Sequence, residues 1–377
     1  MIYLIKKKDI SYKYKMSDRI KNIVVTITFF GVIVILLLAN IIKKDGQISI
    51  SERRKLEQIP TFSITKLFNG TFFEKMDKYL TEQFIKREEF RKLKIGMEFN
   101  VLKKKDYNKL YKYNDYIIEQ NYPLDKDSVL NLINKIKQIK DNYLTEQNNI
   151  YFTIIPDKNY FVNEDNLKID YNEIKTSMQK NLEFAKYIEI CDILNLDDYY
   201  KTDTHWKQEN LIKVAQKIGE SMGININTEY EIIKVGDFKG VYSGQLPIEM
   251  KSDEIKILNN DILENCIVYN YENMKKTKIY NLDKQNSFDK YDIYLSGAVS
   301  LLTIKNNKSR TEKELIVFRD SYASSLIPLL VSEYSKITMI DTRYISPKIL
   351  SDYIEFEGKD ILFIYSTMLI NNSISLK

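Results

Sequence analysis

A single histidine serves the whole chain, so any imidazole chemistry must pass through His205. It stands in Thr202-Asp203-Thr204-His205-Trp206. An Asp two residues before a His is able to accept the Nδ1–H, fix the tautomer and leave Nε2 free to take a proton. The same residues also suit a plainer role, with Asp203 or Thr204 capping a helix expected from Lys207 and His205 packed beneath Trp206. A second cluster, Phe318-Arg319-Asp320-Ser321-Tyr322-Ala323-Ser324-Ser325, follows the apolar run Glu314–Phe318 and opens the next expected helix. A serine hydroxyl there would lie at a helix N-terminus, where unpaired N–H groups and the positive dipole end stabilise an oxyanion. Asp320 or Ser321 would equally serve as an ordinary N-cap. Taken together the clusters supply a nucleophile (Ser321), a base (His205) and an orienting carboxylate (Asp203). Trp206, Arg319 and Tyr322 beside them, and Lys158 on an earlier turn, are candidates for contact with substrate.

Other chemistries lack their parts. One histidine excludes a multi-histidine metal centre, and two cysteines, Cys191 and Cys266, allow at most one disulfide and no CxxC zinc site. No metal or cofactor is expected. No GxGxxG or GxxxxGK[ST] element offers a phosphate loop. The 57 basic and 52 acidic residues nearly cancel, leaving a net charge of +5 with no basic block on a nucleic-acid motif. A nucleic-acid partner is therefore not expected.

The elements that must position these residues alternate. Strand Ile150–Ile155, helix Asn172–Ala185, strand Ile188–Ile193 and helix Lys207–Met222 are followed, after residue 310, by strand Glu314–Phe318, helix Ala323–Tyr334, strand Ile337–Ile340, helix Pro347–Tyr353 and strand Asp360–Tyr365. This is the pattern of an α/β fold with a parallel sheet covered by helices. Residues 231–310 break it with glycines and short Tyr/Ile-rich runs, and read as an inserted β-rich segment. Upstream, apolar residues at helical spacing predict helices over Thr71–Phe84, Arg87–Lys103 and Asp125–Tyr143, with strands within Tyr107–Ile118.

From Ile23 to Ile42 the chain is uncharged and mostly apolar, long enough to cross a hydrocarbon core of about 30 Å. Lys6, Lys7, Lys8, Lys13, Lys15, Arg19 and Lys21 precede it against Asp9 and Asp18, which keeps the N-terminus cytoplasmic. LLLANIIKKDG offers no small-residue cleavage pattern, so the segment reads as a retained anchor. The division expected is a basic tail (1–22), an anchor (23–42), a polar and helical lead-in (43–106) and an extracytoplasmic α/β domain (107–377).

At DTHW and RDSYASSLIPLL, with SERRKLEQIPTFS (Glu52, Arg54, Pro60), IIPDKNYF (Pro156, Lys158) and DILFIYSTMLINNS in support, the sequence resembles the DHHW family. More broadly it is similar to the SGNH hydrolase-like proteins that O-acetylate alginate. The resemblance implies an SGNH-like sheet in circularly permuted order, the Asp/His segment preceding the Ser segment, with Ser321 as nucleophile, His205 as general base and Asp203 as its partner. It also implies an oxyanion-binding Asn after a late strand, for which Asn371 and Asn372 are the nearest matches. Arg319 replaces the usual Gly before Asp-Ser, Thr204 replaces a His of the tetrad, and no Gly follows strand Ile337–Ile340. The implied activity is membrane-anchored O-acetylation of a secreted or cell-wall polysaccharide, with a multi-spanning membrane acyltransferase supplying acetyl groups. A carbohydrate acetylesterase and a non-catalytic glycan-binding or assembly component are the alternatives.

Overall fold

The computed structural model describes residues 2–162, 166–287 and 289–377, with side chains from residue 17 onward. Lys6, Lys7, Lys8, Lys13 and Lys15, whose charges set the expected orientation, have side chains outside those described. The chain divides into two compact units, Met1–Lys94 and Ile95–Lys377, where the sequence pattern placed the division at residue 106.

The first unit opens with one helix, Ile2–Ile42, whose part Ser17–Ile42 is long and apolar enough to cross a membrane and has no buried apolar window. Its 26 residues at about 1.5 Å each span about 39 Å. Helices Ile64–Phe68 and Thr71–Glu82 follow. The charged lead-in is knit around Glu52, whose carboxylate meets Arg87 at 2.8 Å, Arg54 at 3.0 Å and Arg91 at 3.3 Å. Arg54 also reaches Glu82 at 2.8 Å.

The second unit is built on a sheet of eight strands among the described residues. In chain order they are β1 Ile150–Ile155, β2 Lys186–Ile188, β3 Ile267–Asn270, β4 Lys275–Thr277, β5 Leu301–Lys305, β6 Glu314–Arg319, β7 Lys336–Ile340 and β8 Asp360–Ser366. In space they run β4-β3-β5-β7-β6-β8-β1-β2. The five from β7 to β2 are parallel, and β5, β3 and β4 continue the other edge antiparallel. The α/β class and the mostly parallel sheet are those the sequence pattern called for.

β6 is central, and its stretch Leu315–Phe318 is apolar because both faces are covered. Val317 pairs with Met339 of β7 and Leu362 of β8. Leu315 and Val317 pack with Val214, Ala215 and Ile218 of helix Ile212–Met222, while Ile316 and Phe318 pack on the opposite face with Leu132, Ile133 and Ile136 of helix Lys126–Tyr143. That second helix starts where Asp125 accepts the Ser128 N–H at 2.9 Å. Each such fully buried aliphatic side chain contributes roughly 1.5–3 kcal/mol over leaving it exposed.

Several boundaries differ from the expected ones. The strand expected over Ile188–Ile193 is β2, ending at Ile188, and a 3₁₀ turn Cys191–Ile193 follows. Glu189 accepts the Cys191 N–H at 3.0 Å and turns the chain away from the sheet edge. The helix expected from Lys207 starts at Ile212, after a 3₁₀ turn Gln208–Asn210. The Gln208 side chain there donates to Ser325 O and accepts from Leu258 N–H, each at 2.8 Å. Of the helix expected over Ala323–Tyr334 only Ala323–Leu326 is α-helical, and Ile327–Glu333 continues as 3₁₀, since Pro328 has no N–H to give. Within 231–310 lie an antiparallel hairpin, Glu231–Phe238 with Asp253–Asn259, and the three strands that extend the main sheet.

Candidate functional site

Residues 199–206 form a closed turn. Tyr199 and Trp206 face each other as an isolated antiparallel bridge, and the Tyr200 N–H donates to His205 O at 3.0 Å. No helix begins on the turn, so neither Asp203 nor Thr204 serves as its cap.

Three outside groups fix the shape of the turn. The buried Asp253 carboxylate accepts the N–H groups of Lys201 and Thr202, each at 2.8 Å, and the Thr202 hydroxyl at 2.6 Å. The Lys158 ammonium, also buried, donates to Tyr200 O at 3.0 Å and to Ile117 O, and lies 4.9 Å from the centre of the Tyr242 ring. Burial pulls Lys158 down to about 7, against the pull of Asp203, Asp253 and Glu119 toward the charged form. Finally, Gly240 lies against the turn with its N–H on Thr202 Oγ1 at 2.9 Å, and the next N–H, of Val241, donates to Asp203 Oδ2 at 2.9 Å.

Ser321 sits two residues past the end of β6. Asp320 shapes its turn, one carboxylate oxygen accepting the Tyr322 N–H at 3.0 Å and the other the Ser366 N–H at 2.8 Å, so the turn is pinned to the end of β8. The N-cap position of helix Ala323–Leu326 is Tyr322, with no side-chain cap, so neither Asp320 nor Ser321 caps it. Ser321 is left half-buried with its hydroxyl directed at the histidine.

The two turns meet in one hydrogen-bonded chain. Ser321 Oγ lies 2.8 Å from His205 Nε2, and His205 Nδ1 lies 2.6 Å from Asp203 Oδ1. Asp203 is buried and also accepts the N–H groups of His205 and Val241, which hold its carboxylate in place. It therefore holds the ring proton on Nδ1 and leaves Nε2 to accept from the serine. The imidazole stacks on Tyr291, with centroids 3.8 Å apart and planes 9° from parallel. Tyr291 in turn meets Ser325 Oγ at 2.8 Å. Trp206 joins the two turns from behind through its indole N–H, at 2.9 Å from Tyr322 O. The Tyr322 hydroxyl donates to Thr204 O at 2.7 Å, and burial raises its phenol well above the ordinary value. This is the arrangement by which a serine hydroxyl is made nucleophilic. The Ser321 backbone N–H donates to no acceptor among the described residues, which leaves it free for an oxyanion.

The other expected residues take different places. Trp206 and Arg319 are fully buried, and Lys158 and Tyr322 are each 3% exposed, so all four brace the site from within rather than offering a surface to substrate. Arg319 donates to Ser324 Oγ at 3.1 Å and Val299 O at 3.3 Å, and its guanidinium lies 4.0 Å from buried Asp341. Asn371 is occupied elsewhere: its amide donates to Asn121 Oδ1 and Pro123 O, each at 2.9 Å, and its oxygen accepts from Asp125 N at 2.7 Å. Asn372 is exposed. Neither is hydrogen-bonded to Ser321 among the described residues. Cys191 and Cys266 are unpaired, and among the described residues no three His, Cys, Asp or Glu side chains converge as a metal site requires.

Sequence reasoning missed Gly240, Asp253 and Tyr291. All three come from the segment read as an insertion, and their only local signal was Gly240 among scattered glycines.

No protein-family model matches the chain, and no curated protein matches it in sequence. Solved structures do. A DHHW family protein from Eubacterium siraeum superposes with a TM-score of 0.56 at 15% identity, covering 72% of this chain and 94% of that one. PatB1 of Bacillus cereus, in a structure with a sulfonyl adduct, gives 0.54 at 16% identity over 69% of this chain and 95% of that one. A looser likeness, at a TM-score of 0.40 and 10% identity over 68% of this chain and 90% of that one, is to the O-acetyltransferase domain of Pseudomonas putida AlgJ, and at that distance it carries no argument. The fold of this chain is thus similar, over the shares given, to that of the DHHW family protein and of PatB1.

Proposed function

We propose that the chain is a membrane-anchored, extracytoplasmic O-acetyltransferase of a secreted or cell-wall polysaccharide. The observation that carries the reading is the continuous Ser321–His205–Asp203 hydrogen-bond chain, at 2.8 and 2.6 Å. Ser321 Oγ attacks the acyl carbonyl while His205 Nε2 takes its proton, and the Ser321 N–H stabilises the oxyanion that forms. Collapse breaks the bond to the leaving group, which takes the proton from His205, and an acetyl-serine remains. A sugar hydroxyl then gives its proton to His205, attacks the ester and restores Ser321. Asp203 stabilises the imidazolium at both stages.

Fold likeness to PatB1, whose structure holds a sulfonyl adduct, supports a site open to electrophiles. The acetyl group, the carbohydrate acceptor and the multi-spanning acyltransferase as donor rest on the DTHW and DSY resemblance. The apolar helix Ser17–Ile42 and the basic residues before it support the anchored, N-terminus-inside topology.

The test is intact mass of the full chain after exposure to a sulfonyl fluoride or an activated acetyl ester, then to an oligosaccharide. One adduct on wild type, lost in Ser321→Ala and His205→Ala, followed by transfer of the acetyl group to sugar, is the expected result. Release of acetate to water alone means an esterase. A folded wild type that takes no adduct ends the catalytic reading.

A further inference from the structure

Helix Thr71–Glu82 carries an apolar face that no described residue buries. Phe72, Phe73, Met76 and Leu80 share that face, Asp77 flanks it one turn after Phe73, and Glu74 and Lys78 lie on the opposite side. Phe73 is 61% exposed and Leu80 58%, and just upstream Phe62 and Phe68 are at 67% and 86%. Phe62 packs edge-on against Phe72 at 5.6 Å, which joins the two segments into one patch.

The far end of this helix is tied to the end of the apolar helix Ser17–Ile42. Gln83 exchanges hydrogen bonds with the Gly46 backbone at 2.9 and 2.8 Å, and its carbonyl accepts from Lys43 Nζ at 3.1 Å. The Ile85 N–H donates to Asn40 Oδ1 at 2.7 Å, and the Tyr79 hydroxyl to Asp45 at 3.0 Å. Between the helices opens an apolar cleft of about 520 Å³, with Ile33, Leu36 and Leu37 on one wall and Leu80 and Phe84 on the other. Ile33 lies nine residues before Ile42, about 14 Å of helix. On the reading of Ser17–Ile42 as a membrane span, Leu80 and Phe84 therefore stand beside a stretch of chain immersed in hydrocarbon.

We propose that Thr71–Glu82, with the Phe62–Phe68 segment before it, is an interfacial helix whose apolar face lies in the bilayer that the Ser17–Ile42 helix crosses. The occupant of the patch is lipid: acyl chains fill the cleft, and the aromatic cluster sits at the headgroup boundary. Acidic and basic residues are mixed on the polar face, so the attachment comes from apolar burial and not from attraction to anionic lipid. This rests on the anchor part of the function proposed above and is independent of the chemistry at Ser321.

The full chain in phosphatidylcholine nanodiscs, with and without bromine on the acyl chains, tests the proposal. Phe73→Trp and Leu80→Trp are compared with Lys78→Trp on the polar face and Val34→Trp in the apolar helix, and wild type supplies the background of the buried Trp206. Brominated lipid should remove about half of the added emission of Phe73→Trp and Leu80→Trp, as expected for a depth of roughly 5–10 Å. It should quench Val34→Trp as well and leave Lys78→Trp unchanged. If Val34→Trp is quenched while Phe73→Trp and Leu80→Trp behave like Lys78→Trp, the interfacial helix is overturned, the anchor stands, and a protein partner becomes the occupant to seek. An unquenched Val34→Trp overturns the anchor and this proposal together.

Discussion

Gly240 meets Asp203 so closely that a Cβ built on the glycine would lie 2.3 Å from the Asp203 Cβ and 2.5 Å from Thr202 O. Its φ of −72° is open to any residue, so what requires glycine here is the absence of a side chain. Gly240→Ala must displace the Asp203 turn or the Gly240 segment packed on it. A displacement of about 1 Å at a catalytic group costs on the order of 10²-fold in rate, and the overpacking itself about 1–3 kcal/mol of stability. The variant is expected to fold and to take up a sulfonyl fluoride about a hundredfold more slowly. Labelling at the wild-type rate would show that the close approach is not what positions Asp203.

Asp253 satisfies two backbone N–H groups and one hydroxyl of the same turn. Asp253→Ala leaves those donors without a partner inside the protein, at about 1–3 kcal/mol for each group that water cannot reach. The urea midpoint should fall clearly, and labelling of Ser321 should slow with it. Asp253→Asn retains one acceptor oxygen and should lie between the two. An alanine variant indistinguishable from wild type in both measurements rules out this role.

Tyr291 presents a flat face to the imidazole and a hydroxyl to Ser325. Tyr291→Phe keeps the stack and should label at close to the wild-type rate, while Tyr291→Leu loses it. A stack of this kind is worth about 0.5–1.5 kcal/mol, so a drop of up to roughly tenfold is expected for the leucine variant. Equal rates for the two variants would mean that the ring face does not hold His205.

Lys158 gives the fold a pH dependence of defined sign. Burial lowers its folded value to about 7 from an ordinary 10.5. Between those limits the unfolded chain binds the extra proton, so this group makes stability rise with pH across the window and adds no slope below about 7. The advantage of wild type over Lys158→Met should therefore grow between about pH 7 and about pH 9, as read from urea midpoints. A difference constant across that range, or one that shrinks, contradicts a depressed lysine.

The parts of the site legible in the sequence were those whose signal is local. Asp203 and His205 are two residues apart, and Ser321 follows a strand whose unbroken apolar run announces burial on both faces. The central strands could be read for the same reason. β2 was placed too far along the chain because Ile190 and Ile193 look like strand residues, yet it is Lys186–Ile188 that has a partner strand to pair with. The 3₁₀ stretch after Ser321 follows from Pro328, whose effect on helix type depends on packing as well as on the missing N–H. Gly240, Asp253 and Tyr291 were invisible for another reason. Each acts across 38 to 86 residues of chain, by shape at Gly240, by hydrogen bonding at Asp253 and by a ring face at Tyr291, and spacing in a sequence encodes none of these. Arg319, Lys158 and Trp206 have the polar character of ligand-binding residues, and it is burial that turns this character inward.

β8 comes latest of the eight strands along the chain, yet it lies between β6 and β1 and joins what would otherwise be two separate ribbons, β7-β6 with its antiparallel extension and β1-β2. Its last residue, Ser366, also supplies the N–H that pins the Asp320 turn. A nascent chain that has delivered everything up to Tyr353 thus has Asp203, His205 and Ser321 but no continuous sheet to hold them. On emerging from a ribosome or an export channel it would present two unsatisfied strand edges, one on β6 and one on β1, each open to pairing with another chain. Assembly of the site is therefore a late event in biogenesis, and a protein truncated before Asp360 should be cleared or aggregate rather than persist in a partly folded form.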